Sequence, residues 1–147
     1  MAAASKFNIF VLDLTNKIHN LGSDTLKVAL TNTAPVAANA VLADITEIAA
    51  ANGYSAGGAT ATLVSSTQTS GTYKLVLSQP TFTASGGSIN TFRYAYLYNG
   101  STATVTATMA AILLKPGDVT VFHPSTSAVT LQSTTAATDI QTVITEA

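Results

Sequence analysis

Apolar and polar positions alternate along most of this chain, and the alternation changes period only near its start. Residues 7–21 read FNIFVLDLTNKIHNL. Phe10 and Leu14 stand four apart, and the surrounding Ile9, Val11, Leu12, Ile18 and Leu21 follow a helical face imperfectly. Asn8 is a suitable N-cap and Gly22 stands where a C-terminal glycine belongs, so the pattern predicts a helix over 9–21. After Ser23-Asp24 the period drops to two. Leu26, Val28 and Leu30 alternate with Lys27, Ala29 and Thr31, which predicts a half-buried strand over 25–31.

Pro35 makes 32–40 a loop, 42–45 reads as one helical turn, and 47–49 as a short strand. Asn52-Gly53 and Gly57-Gly58 mark an exposed, turn-rich stretch. Strands are predicted at 59–66, 72–77, 88–98 and 102–114, with 68–71 closing a hairpin between the first two. The third places Phe92, Tyr94, Tyr96 and Tyr98 on one face and Arg93, Ala95 and Leu97 on the other. Asn99-Gly100 predicts a type I′ turn into the fourth. Pro116-Gly117-Asp118 forms another turn, followed by strands at 119–123 and 129–131. Residues 133–147 read either as a helix opening at 138–141 or as extended chain.

These elements describe an all-β protein, an antiparallel β-sandwich or barrel of roughly seven to nine strands with one N-terminal helix. At 147 residues one core is expected. Residues 1–147 form a single domain, with an N-terminal arm at 1–7, a core at 8–132 and a C-terminal tail at 133–147.

Composition changes the picture more than any motif does. The chain has six Lys or Arg, seven Asp or Glu, two His and no Cys, while about a third of it is Ala or Thr. Soluble domains carry roughly a quarter charged residues, against 9% here. Two readings follow: an obligately assembled protein, or a Thr/Ser-rich domain kept dispersed by its hydroxyls. The sparse basic residues form no stripe for nucleic acid, and no basic amphipathic helix or long apolar run suits a membrane. The first seven residues lack the order of a secretory leader. Without Cys there is neither disulfide nor thiolate metal site.

The run KFNIFVLDLTNKIHNLGSDTLKVALTNTAPVAANAVLADITEIAAANGYSAGG and the later GTYKLVLSQPTFTASGGSINTFRYAYLYN cover about two thirds of the chain. Within them stand HNLGSDTLKV at 19–28, DITEI at 44–48, Gly53-Tyr54, Gly57-Gly58 and Phe92-Arg93-Tyr94. Together these resemble a family of small structural proteins of tailed-bacteriophage virions. The resemblance implies a capsid decoration or cement protein. It would be made in the bacterial host cytoplasm and carried on the capsid surface of the virion. Its partners would be the major capsid protein and copies of itself, as a homo-oligomer, with no nucleic acid, membrane or cofactor. Beyond Asn99 the chain departs from the family pattern, being Thr/Ala-rich where an aromatic strand and an acidic turn are expected. A neck or tail component and a carbohydrate-binding host-attachment module are the alternatives.

Candidate chemistry is thin, and no catalytic, cofactor-binding or metal residue is assigned. Gly53-Tyr54-Ser55-Ala56-Gly57 matches the nucleophile-elbow pattern, with Asp118 and His123 later in triad order. An elbow requires a helix after Ser55, and the sequence there reads as strand. His19 and His123 are isolated, and Asp24, Asp44 and Glu47 lack the spacing of a calcium loop. Asp24 and Asp44 read as turn and cap residues, and Gly57-Gly58 has no helix start with which to cradle phosphate. Tyr94, Tyr96 and Tyr98 form either a stacking platform or a core-facing row. For the interface, the sequence points to the two terminal arms and to Met1, Ser5, Phe7, Arg93, Tyr96, Ile140 and Ile144.

Overall fold

A computed structural model describes residues 6–78 and 80–101, together with two strand backbones at 128–130 and 139–144. The protein is mostly strand, with one α-helix and antiparallel sheets. Helix α1 (Ile9–Thr15) is followed by β1 (Leu26–Thr31) and a single 3-10 turn (Leu42–Asp44). Then come β2 (Ala59–Ala61), β3 (Leu63–Thr69), β4 (Thr72–Ser78), β5 (Thr81–Thr83) and β6 (Tyr94–Asn99). Strands β7 (Ala128–Thr130) and β8 (Asp139–Ile144) complete the described set.

Helix α1 stops six residues before the expected end. Lys17 adopts φ 60°, its N–H bonds the carbonyl of Leu14 at 3.1 Å, and the N–H of Ile18 bonds that of Asp13 at 2.9 Å. This is a Schellman closure, which satisfies the last helical carbonyls, with lysine in the position that usually takes glycine. Gly22 therefore does not end the helix. The closure turns the chain so that His19 and Leu21 point into the molecule.

Strand β1 is central, in the order β2-β1-β6. Its register sets Leu26 opposite Asn99 and Leu30 opposite Ala95 on one side, and Val28 opposite Ala59 on the other. The strand is buried on both faces, not on one as its alternation suggests. Leu26, Val28 and Leu30 join Ala95, Leu97, Leu75, Leu77, Phe10, Phe82 and Phe92 in the main core. Ala29 packs on the opposite side with Phe7, Ile45, Tyr96 and Tyr98. Each such side chain removed from water is worth about 1.5–3 kcal/mol for the larger residues, so both faces contribute to stability.

The alternation over 59–66 conceals a break. Strand β2 pairs with β1, whereas β3 pairs with β4 in the order β3-β4-β8, so the chain changes sheets at Thr62. There the Ser78 N–H bonds the Thr62 carbonyl at 2.7 Å, and the Thr62 N–H bonds the Ser78 hydroxyl at 2.9 Å. The hairpin at 68–71 forms as expected, turning through Ser70 and Gly71, both at positive φ. In contrast, 88–98 is strand only from Tyr94. Asn52 and Asn32 donate from their side-chain amides to the carbonyls of Ser88 and Thr91, holding that approach as irregular chain. Phe92 consequently faces the main core and leaves the tyrosine row.

The sheets are open, with no order of described strands that closes on itself, so the barrel alternative is set aside. Of 47–49, only the bridge from Glu47 to Thr31 forms. Asn99 is the last residue of β6, and neither it nor Gly100 lies in the left-handed region, so no type I′ turn forms there. In the tail, 139–144 is strand and not helix, pairing antiparallel with β4. The expected elements at 102–114, 116–118 and 119–123 lie outside the described residues.

Candidate functional site

The polar residues that sequence reasoning left scattered are gathered into two networks. The first closes the lower end of β1 and β6. Asp13, His19 and Asn99 are all buried there, at 3%, 5% and 0% exposure. The Asn99 amide nitrogen donates to Asp24 Oδ2 at 2.6 Å and lies 3.1 Å from His19 Nδ1. Its oxygen accepts from the Ser101 N–H at 2.9 Å. On the far side of the imidazole, Nε2 stands 3.6 Å from Asp13 Oδ2, too long for a good hydrogen bond. Asp24 also accepts from the Asn20 N–H at 2.7 Å, which fixes the loop carrying His19. Burial lowers the His19 pKa below 6.5, against the opposing fields of Asp13 and Asp24.

The His19 ring also forms part of the wall of a cavity of about 700 Å³, along with Leu14, Lys17, Leu21, Ser66 and Tyr73. Across it the hydroxyls of Ser66 and Tyr73 bond one another at 2.8 Å.

The second network secures the turn-rich loop over β1. Glu47 accepts from the Tyr54 hydroxyl and from the Gly57 N–H at 2.8 and 3.0 Å. Tyr54 in turn accepts from the buried Leu30 N–H at 3.1 Å, and Tyr98 donates to the Gly57 carbonyl at 2.7 Å. Burial, then the bond to Glu47, pushes the Tyr54 phenol well above its ordinary range, so it stays a donor. Gly58 has φ +66°, and a Cβ there would lie 1.9 Å from the Val28 carbonyl oxygen. Gly58 thus serves close approach of backbone to backbone, whereas Gly57 meets only the side chains of Tyr98 and Lys27.

These networks decide most of the sequence candidates. Ser55 is exposed on a turn that leads directly into β2, so the helix of a nucleophile elbow is missing; Asp118 and His123 lie outside the described residues. Asp44 accepts from the N–H groups of Ala40 and Val41, the capping role expected of it, and these bonds lower its pKa. No group of three His, Cys, Asp or Glu among the described residues could hold a metal ion. No helix among them is long and apolar enough to cross a membrane.

The interface candidates divide. Phe7 at 3% and Tyr96 at 0% exposure lie inside the chain's own second core, so neither offers a surface to a partner in this fold. The reason is that the central sheet has two buried faces, and both side chains pack with Ala29 on the second. The same burial removes Tyr96 and Tyr98 as a stacking platform, leaving Tyr94 half-buried. Arg93 is exposed. Ile140 and Ile144 sit on β8, at the register positions of Leu77 and Tyr73. Met1 and Ser5 lie outside the described residues.

Sequence reasoning missed Asp13, Asn99 and the pairing of Glu47 with Tyr54. A lone acid within the apolar run FVLDLT was the available signal for the first. Comparison with family models, with curated proteins and with solved structures finds no match for this chain.

Proposed function

We propose that this chain is a non-enzymatic structural protein of a tailed-phage virion that binds the capsid exterior and ties shell subunits together. One observation carries this reading: Asp24, Asp44 and Glu47 are hydrogen-bonded within the chain, while the edge strand β3 is uncharged. Strand β3, LVSSTQT, has a single hydrogen-bonded neighbour among the described strands and holds no charge and no proline. Its Val64 is 56% exposed. Edge strands of free monomers usually carry Lys, Pro or a bulge against pairing, and β3 has only a register shift near Val64. Such an edge suits strand addition by a second copy or a shell subunit. Repeated around a shell, modest contacts then add up through multivalency. The sparse charge of the whole chain and its resemblance to small virion proteins support the same reading. In fold terms we infer an antiparallel sandwich of roughly seven to nine strands, because side chains of both larger sheets meet in one core.

Particle stoichiometry tests this. Quantitative mass spectrometry of purified virions is expected to give on the order of hundreds of copies, as capsid symmetry requires. A single small ring of copies would indicate a neck or tail component instead. Rebinding of purified protein to stripped capsids is expected to weaken with Val64→Lys, which leaves the fold intact. A protein that stays monomeric at high concentration and does not rebind would overturn the proposal.

A further inference from the structure

Asn-Gly pairs stand at 52–53 and 99–100, and a type I′ turn forms at the first. Asn52 and Gly53 take φ 51° and 98°, the Tyr54 N–H bonds the Ala51 carbonyl at 2.9 Å, and Ala51 and Tyr54 pair as a bridge. Residues 83–88 grip this turn from one side. The Asn52 side-chain amide donates to the Ser88 carbonyl at 2.8 Å, and the Asn52 carbonyl accepts from the Ser85 N–H at 3.0 Å. Gly53 lies so close to Thr83 that a Cβ on it would stand 1.9 Å from the Thr83 oxygen. Both turn residues remain exposed to solvent.

An exposed Asn-Gly pair is chemically able to deamidate. The Gly nitrogen loses its proton and joins the Asn Cγ, and the side-chain nitrogen leaves as ammonia. Water then opens the cyclic imide to aspartate or isoaspartate. Ring closure needs the Gly nitrogen eclipsed with Cβ about the Asn Cα–C bond. In a type I′ turn the first central residue has ψ of about +30°, which sets the two nearly opposite each other. The turn thus holds the reacting atoms apart, and the bond to Ser88 fixes the amide as well.

We propose that Asn52 is a deamidation site gated by residues 83–88: its imide closes only while the turn is lifted from them, and the product keeps it lifted. An ionised aspartate has no hydrogen to give the Ser88 carbonyl, so two oxygens would face each other where a 2.8 Å bond now stands. Isoaspartate adds a methylene to the main chain, and the two-residue turn no longer fits between Ala51 and Tyr54. Water is the only co-reactant, and no step restores the amide. A passing opening of the loop is thereby made permanent.

The test incubates the folded full chain at neutral pH beside the same chain unfolded in urea, and reads deamidation by tryptic mass mapping. Cleavage after Lys27, Lys74 and Arg93 places Asn52 and Asn99 in different peptides. Opening breaks the Tyr54–Ala51, Asn52–Ser88 and Ser85–Asn52 bonds, so Asn52 should react at least about tenfold more slowly in the folded chain. Urea below the unfolding midpoint should raise that rate in step with amide exchange at Ser85. Asn52→Asp should speed Ser85 exchange without urea, while the β1 amides keep their protection. If that variant does not fold, the urea series on the unaltered chain still decides. Equal rates in folded and unfolded chains, a folded-state rate that does not follow Ser85 exchange, or native Ser85 protection in Asn52→Asp would each overturn the gate.

Discussion

Replacing Gly58 by alanine exchanges one hydrogen for a methyl group, yet it should be among the most damaging single changes in the chain. The residue sits at φ +66°, where a Cβ costs about 1–2 kcal/mol on conformational grounds alone. That Cβ would stand 1.9 Å from the Val28 oxygen, 2.7 Å from its carbonyl carbon and 2.8 Å from Ala29 Cα. Carbon and oxygen normally approach no closer than about 3.3 Å, so the turn and β1 would have to part by more than ~1 Å. All three obstacles are backbone of the central strand, and none can rotate aside. The adjoining pairs Val28–Ala59 and Lys27–Thr60 would be strained with them. Overpacking of this kind adds about 1–3 kcal/mol, for a total near 2–5 kcal/mol. A domain of this size has about 5–15 kcal/mol in all. Gly71→Ala is the control, since its φ of +82° carries the same backbone strain but nothing lies within 4 Å. Urea unfolding should show Gly58→Ala lowering the midpoint well beyond Gly71→Ala at unchanged slope. Equal losses from the two variants would refute the claim that close approach, and not φ alone, keeps glycine at 58.

Tyr54→Phe should lower stability by about 1–3 kcal/mol in the same assay, because it strips the buried Leu30 N–H of its acceptor. Glu47→Ala should cost a similar amount and free the 53–58 loop, read as faster amide exchange at Gly57. Lys17→Gly should stabilise by roughly 0.5–1 kcal/mol, since relief of left-handed strain exceeds the added freedom of the unfolded chain. Stability should also fall in mild acid. The folded His19 pKa lies below 6.5, so the unfolded chain binds the proton first. This contribution is complete above pH 6.5 and is lost as pH falls through the folded value. His19→Gln should flatten that part of a pH–stability curve, and an unaltered slope would assign the acid sensitivity to other groups.

Local pattern by itself determined the strand-rich class, the leading helix, strand β1, the β3–β4 hairpin and the cap at Asp44. Each depends on neighbours within a few residues, where period, turn chemistry and hydrogen bonding to the nearby backbone act. It could not determine that β1 is buried on both faces, because an alanine or threonine is compatible with either water or a snug second layer. Nor could it show the change of sheets at Thr62, where the alternation runs on unbroken while the pairing partner changes. The early end of α1 depends on a lysine taking the left-handed conformation, a choice rewarded only because it turns His19 and Leu21 into the core. Tertiary structure alone brought Asp13, His19, Asp24 and Asn99 together, although Asp13 and Asn99 stand far apart in sequence. Sequence spacing carries no record of such contacts: they exist because β6 pairs with β1 in one register, and that register is set by the summed packing of both cores.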